Sequence, residues 1–188
     1  MARNLAAGAA AAGNRVILVE ADLRKPTVAS AMGIDTKDAE GKPLPGLAQV
    51  LGTSLTYEKA LTKVDVASGH DGAGGANLDV LLAGPSPPNA ADLIESSRMR
   101  RLLGALGERY DLVVVDTPPL LAVSDAVPLL KQVSGIIVVT RLGRTERAAA
   151  AALRHQLENL EAPTLGVVVN GVTPSAQGYA YGYGYGYG

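Results

Sequence analysis

The chain has 188 residues, of which 47% are apolar, and it contains no cysteine, phenylalanine or tryptophan. Its 17 basic and 18 acidic side chains give a net charge of −1, which argues against nucleic acid or an anionic membrane as a partner bound through bulk charge. The absence of cysteine excludes disulfides and thiolate metal sites. The length predicts one domain with a short appendage.

The first predicted element is a helix over residues 3–12, which Gly13 and Asn14 end. Continuous apolar runs then predict buried strands at 15–20, 78–84, 110–116, 134–140 and 164–170. Further helices are expected at about 46–62, 90–109, 122–132 and 145–160. This alternation predicts a doubly wound α/β domain with a mainly parallel sheet, in which ligands bind beyond the carboxyl ends of the strands.

Two segments are predicted to lie outside this regular structure. Residues 69–76, "GHDGAGGA", are expected to form an exposed loop, and they are not a phosphate loop because no Gly-Lys-Ser/Thr follows them. Apolar periodicity stops after Pro174, so we expect a domain over 1–174 and a disordered Tyr/Gly-rich tail over 175–188. That tail holds five of the seven tyrosines, namely Tyr179, Tyr181, Tyr183, Tyr185 and Tyr187. Taken alone, the tail could also be a low-complexity linker.

Asp116 ends the strand "YDLVVVD" and is followed by "TPP". A carboxylate at the end of a buried strand suits a role in holding water on Mg²⁺, which prefers one or two carboxylates together with waters and phosphates. The alternative is an aspartate that only caps the following turn.

Glu20 and Asp22 follow the strand "RVILV" and lie on one side if the backbone remains extended. Carboxylates at this spacing could serve as a base and as a ligand of metal-bound water. Such a pair is also common on solvated loops. Its significance here comes from the joint presence of "EADLRKP" and "VVVDTPP", each after its own buried strand.

These segments resemble the bacterial tyrosine kinases, or BY-kinases, of capsular and exopolysaccharide biosynthesis. "RVILVEADLRKP" is similar to their Walker A-prime segment, and "YDLVVVDTPPLLAVSDA" is similar to their Walker B segment. "GVVVNGV" resembles the strand-end asparagine segment of the wider deviant-Walker ATPase group, and the tyrosine-rich tail is a further mark of these kinases. The implied fold is the P-loop NTPase type.

The resemblance implies roles for individual residues. Asp116 would order Mg²⁺ through water, Asp22 would assist the metal shell, and Asn170 would hydrogen-bond the adenine of ATP. Glu20 occupies the place of a family aspartate that accepts the tyrosine proton. Its extra methylene moves the carboxylate, and a displacement on the order of 1 Å can reduce a rate about a hundredfold. The tail tyrosines would be the phosphoacceptors.

The family's phosphate-binding motif, GxxxxGK[ST], does not occur in the 188 residues. The resemblance places Met1 about three residues after that motif. We therefore expect a truncated copy that lacks the first strand of the fold, exposes apolar surface and binds ATP poorly. The alternative is a regulator that never had a P-loop.

The activity implied is autophosphorylation with ATP and Mg²⁺, in trans within a ring-shaped homo-oligomer, controlling polysaccharide synthesis and export. The implied partners are a transmembrane polysaccharide co-polymerase or activator, fused or separate, and a tyrosine phosphatase. The implied location is the cytoplasmic face of the plasma membrane, with no nucleic acid. One rival is a non-catalytic subunit that another kinase phosphorylates. A partition-type ATPase is a weaker rival, because the tail carries no charge.

Overall fold

The computed structural model describes residues 1–66 and 76–172. The helices within these ranges are α1 (Ala2–Ala11), α2 (Val28–Met32), α3 (Leu47–Gly52), α4 (Ala90–Glu95), α5 (Ser97–Arg109) and α6 (Arg147–Asn159). The strands are β1 (Val16–Glu20), β2 (Leu61–Val66), β3 (Ala76–Leu81), β4 (Leu112–Asp116), β5 (Ile136–Arg141) and β6 (Thr164–Asn170). Short 3₁₀ helices cover Tyr57–Ala60 and Ser124–Leu129.

The strands form two separate sheets. The first has the order β2-β3-β1-β4, in which β1 pairs in parallel with both neighbours and only the edge strand β2 is antiparallel. The second consists of the parallel pair β5 and β6. The predicted α/β class with a mainly parallel sheet is confirmed, although the described strands form two sheets instead of one.

Strand β1 is the centre of the hydrophobic core because all five of its residues are buried. Alternate side chains point to opposite faces of a strand. Leu18 accordingly belongs to a cluster with Ala6 of α1, whereas Val19 belongs to a second cluster with Met99 and Leu106 of α5. Helices therefore cover both faces of the first sheet, as a doubly wound fold requires.

Three predicted helices were wrong in extent. The stretch 46–62 is interrupted after α3, where Thr53 has an extended backbone. The stretch 90–109 is divided at Ser96, whose backbone is also extended and whose hydroxyl accepts a hydrogen bond from the amide of Met99 at the start of α5. The stretch 122–132 forms only a 3₁₀ helix, which contains Pro128. An interior proline removes an amide donor and disfavours a continuous α-helix.

The second sheet exposes apolar side chains on both of its strands. Val139 of β5 is 48% exposed, and Leu165 and Val167 of β6 are 72% and 61% exposed. Among the described residues, no strand pairs with the outer edge of β4. Within the same residues, every helix is too short or too polar to span a bilayer.

Candidate active site at the ends of β1 and β4

The parallel pairing of β1 and β4 brings the two acidic sequence segments together. Glu20 lies opposite Asp116 in the register, and the amide of Ala21 donates a 2.8 Å hydrogen bond to the carbonyl of Asp116. The loop after β1 and the loop after β4 consequently leave the sheet side by side. The segments "EADLRKP" and "VVVDTPP" thus lie side by side at one edge of the first sheet.

Glu20 is buried, with only 1% of its surface exposed, and both of its carboxylate oxygens are occupied. Oε1 accepts hydrogen bonds from the amides of Thr27 (2.6 Å) and Val28 (2.7 Å) at the start of α2. Oε2 accepts one from the amide of Ala83 (3.0 Å), beyond the end of β3. Three such donors stabilise a buried negative charge. This geometry gives Glu20 a structural function, while its predicted role as proton acceptor stays a prediction.

Asp22 is half-buried in the loop after β1. Its Oδ1 accepts hydrogen bonds from the amides of Arg24 (3.2 Å) and Lys25 (3.0 Å). This is the local turn that aspartate side chains commonly make with the backbone two or three residues on. Its Oδ2 has no hydrogen-bond donor in the part of the chain that the structure describes, so this oxygen remains available to a ligand.

Asp116 is half-buried at the end of β4, and burial raises the pKa of its carboxyl group above the ordinary value. The negative charge of Glu20 raises this pKa further, and that of Asp22 has a smaller effect in the same direction. The amino group of Met1, at the start of α1, acts in the opposite direction. The charge of Asp22 therefore acts on the carboxyl group of Asp116, and a bound cation would relieve this repulsion.

The donor set of Asp22 and Asp116 fits Mg²⁺ held through water. Among residues 1–66 and 76–172, no three His, Cys, Asp or Glu side chains are arranged to hold a metal ion by themselves. Magnesium does not need such a cage, because it keeps several waters and takes one or two carboxylates together with substrate phosphates. These two side chains are the ones that could hold it here.

Asn170 lies at the end of β6, in the second sheet, and is half-buried. Its carbonyl oxygen accepts a 2.8 Å hydrogen bond from the amide of Leu142, the residue after β5. The structure therefore brings Glu20, Asp22 and Asp116 together but gives Asn170 no contact with them. The five predicted phosphoacceptors, Tyr179, Tyr181, Tyr183, Tyr185 and Tyr187, lie outside the described residues.

Sequence reasoning missed an ion pair beside the carboxylates. Nε of Arg24 donates to Oδ2 of Asp125 at 2.5 Å, and a second guanidinium nitrogen donates to Oδ1 at 3.2 Å. Asp125 is buried, whereas the side chain of Arg24 is about half exposed. An acidic residue between the apolar stretches "LLAV" and "AVPLL" was the available signal that it needs a buried partner.

The α/β fold and the paired acidic loops together define a kinase domain of the P-loop NTPase type. No protein-family model matches the chain. It is 38% identical over 170 residues to the tyrosine-protein kinase YwqD of Bacillus subtilis, a match that covers 90% of this chain and 65% of YwqD. The chain belongs to the bacterial tyrosine-protein kinases, in which it corresponds to the kinase domain.

Two solved kinase domains support this assignment. The kinase domain of VpsO has a TM-score of 0.77 at 30% identity, with 92% of this chain and 77% of that one covered. The kinase domain of the Escherichia coli tyrosine kinase Etk has a TM-score of 0.77 at 33% identity, with coverages of 98% and 66%. The chain spans about two thirds of YwqD and only 22% of full-length Etk.

Proposed function

We propose that this chain is the kinase domain of a protein-tyrosine autokinase, which transfers the γ-phosphate of ATP to C-terminal tyrosines, and that the 188 residues are inactive by themselves because GxxxxGK[ST] does not occur in them. The observation that carries the proposal is the register of β1 against β4, in which Glu20 faces Asp116 and the loop with Asp22 runs beside them. Carboxylates grouped at the carboxyl ends of parallel strands are suited to a metal–nucleotide site. Membership of the tyrosine kinases supplies the reaction class.

Each proposed residue has a separate role. Asp22 and Asp116 would hold the waters of Mg²⁺, which supplies positive charge to the phosphates when bound. Asn170 would hydrogen-bond the adenine. A tail tyrosine would attack the γ-phosphorus through its hydroxyl oxygen as the bond to the ADP oxygen breaks. The phenolic proton would pass to a carboxylate, which is Glu20 by its position in the sequence.

The tail supplies the nucleophiles in this proposal, namely Tyr179, Tyr181, Tyr183, Tyr185 and Tyr187. Each would enter the site of a neighbouring copy in a ring. Phosphorylation adds about −1.5 to −2 charges per tyrosine, so a multiply phosphorylated tail would repel its neighbours. The ring would then loosen, and a tyrosine phosphatase would reverse the change.

The proposed setting is the cytoplasmic face of the plasma membrane, beside a transmembrane polysaccharide co-polymerase or activator. There the cycle of phosphorylation would control the synthesis and export of capsule or exopolysaccharide. This setting is proposed by analogy with the tyrosine kinases to which the chain is similar and with the solved CapA2B2 chimera.

The proposal is tested by incubating a full-length form of the kinase, which carries GxxxxGK[ST], with Mg-ATP and locating phosphate by mass spectrometry. Phosphate is expected on tyrosines 179 to 187, and a variant with these five changed to phenylalanine is expected to incorporate none. Tyr57→Phe is the matched control, because it removes a tyrosine outside the tail and leaves all five acceptors. Phosphate found elsewhere, with none on the tail, would contradict the proposal.

A second candidate function is that of a non-catalytic subunit whose tail is phosphorylated by another kinase. It is favoured by one observation, which is that GxxxxGK[ST] does not occur in the 188 residues. Backbone amides and the lysine of that motif position and neutralise the phosphates in P-loop enzymes. A rise in melting temperature of this chain on addition of Mg-ATP would count against the second candidate.

A further inference from the structure

The ion pair between Arg24 and Asp125 joins the two loops that carry the acidic side chains. Arg24 lies two residues after Asp22, and Asp125 lies nine residues after Asp116. The two hydrogen bonds, of 2.5 and 3.2 Å, come from different nitrogens of one guanidinium group to different oxygens of one carboxylate. A bidentate contact of this kind fixes orientation as well as distance.

Arg24 is held at its backbone as well as at its side chain. Its amide donates to Oδ1 of Asp22 at 3.2 Å. Arg24 therefore binds Asp125 through its side chain and orients the carboxylate of Asp22 through its backbone. Asp125 has only 6% of its surface exposed and belongs to the 3₁₀ helix that follows the β4 loop. A carboxylate buried to this degree is strongly destabilised without a cationic partner. The contact with Arg24 is therefore more important than an ion pair between two exposed side chains.

The same two strands carry a second ion pair at their opposite ends. Arg15, just before β1, contacts Asp111, just before β4, with a 2.6 Å distance between its guanidinium group and Oδ1. Both side chains are more exposed there than Asp125 is. The Arg15–Asp111 pair can therefore serve as a control for the Arg24–Asp125 pair, because it joins the same two strands at the end remote from the acidic loops.

We propose that Arg24 and Asp125 are a positioning pair that fixes the Asp22 loop relative to Asp116. Neither residue needs to touch the nucleotide or the metal. The pair would keep the Asp22 carboxylate in place beside the Asp116 loop, where the two side chains could hold waters of a bound Mg²⁺. This inference rests on the proposed nucleotide site for its functional meaning, while the link between the loops can be measured without nucleotide.

The test compares the double variant Arg24→Gln/Asp125→Asn with the wild-type chain. Changing both partners avoids the unpaired buried charge that a single change would leave, so the melting temperature is expected to stay close to that of the wild type. The matched control is Arg15→Gln/Asp111→Asn, which removes the ion pair at the other end of the same strands. Amide hydrogen exchange at residues 24 and 25 reports the order of the Asp22 loop.

We expect exchange at these two amides to become about tenfold faster in the Arg24/Asp125 variant and to be unchanged in the control. In a form of the kinase that carries GxxxxGK[ST], the affinity of the same double variant for a fluorescent ADP analogue should also fall about tenfold when Mg²⁺ is present and remain the same when Mg²⁺ is absent. The proposal is overturned by unchanged exchange, or by faster exchange with an unaltered Mg²⁺-dependent affinity.

The nucleotide site and the positioning role of the ion pair are tested by different measurements. If the wild-type form that carries GxxxxGK[ST] binds no Mg-nucleotide, the nucleotide site of the proposed function fails. The exchange comparison still decides whether the ion pair orders the Asp22 loop, because it uses the protein alone. Equal acceleration in both double variants would show a general effect of losing an ion pair and would overturn the positioning role.

Discussion

Glu20 accepts a 3.0 Å hydrogen bond from the amide of Ala83, and this contact ties the end of β1 to the residues that follow β3. The other oxygen of the same carboxylate receives the two amides at the start of α2. One buried side chain thus connects three segments of backbone around the candidate site. Removing this carboxylate should lower the free energy of unfolding of the domain.

We predict that Glu20→Gln lowers the free energy of unfolding by about 1 to 3 kcal/mol, because the new amide group presents a donor to a backbone donor. Urea unfolding measures the change. Glu108→Gln is the control, since Glu108 is exposed on α5 and should shift stability by less than about 0.5 kcal/mol. Equal effects of the two changes would be inconsistent with a structural role for Glu20.

The raised pKa of Asp116 predicts a pH dependence of stability. The folded chain holds this proton at pH values where the unfolded chain, with an ordinary pKa of about 3.9, has released it. Stability from this group is therefore greatest at low pH and is lost as the pH rises through the folded-state pKa. Carboxyl-carbon NMR titration should give a pKa above the ordinary value, and Asp116→Asn should remove this component from urea unfolding at pH 4 to 7.

Asp111 should behave in the opposite way, because hydrogen bonds from Arg15 lower its pKa to about 2. Its contribution to stability is present above the ordinary pKa of an aspartate and is lost as the pH falls towards about 2. The Arg15→Gln variant should bring the pKa of Asp111 back towards its usual range in an NMR titration. A pKa that stays near 2 in this variant would rule out the guanidinium group of Arg15 as the main cause, since the backbone amide of residue 15 keeps its hydrogen bond to Asp111.

Gly46 is predicted to resist substitution because it lies against the backbone beyond β3. A Cβ at this position would overlap the amide nitrogen of Gly84 and the carbonyl oxygen of Leu82. Gly46→Ala should therefore lower the free energy of unfolding by about 1 to 3 kcal/mol. Gly104→Ala, in open space on α5, should raise it by about 0.4 to 1 kcal/mol. Thermal unfolding of the two variants should shift in opposite directions.

The sequence predicted the strands that are continuous apolar runs, and it failed where a strand alternates. β1 and β4 were recognisable because a strand covered on both faces carries apolar side chains at nearly every position. β2, "LTKVDV", is a half-exposed edge strand whose polar residues hide the signal. Its pairing with β3 is set by tertiary contacts, which local propensity does not encode.

The acidic residues of the candidate site could be predicted from the sequence. The residues that hydrogen-bond to them could not. Glu20 and Asp116 each end a recognisable strand, Asp22 follows the first of these strands, and parallel strands end at a common edge. The burial of Glu20 depends on Ala83, which is 63 positions away in the chain. Arg24 and Asp125 are 101 positions apart, so no local pattern could pair them.

The exposed valines and leucine of β5 and β6 have a practical consequence for every assembly measurement on this protein. Unpaired strand edges beside exposed apolar side chains promote aggregation at high protein concentration. Light-scattering or sedimentation data should therefore be collected over a dilution series. Association that grows without limit with concentration would indicate edge-to-edge contacts, whereas a species of fixed size would indicate a closed ring.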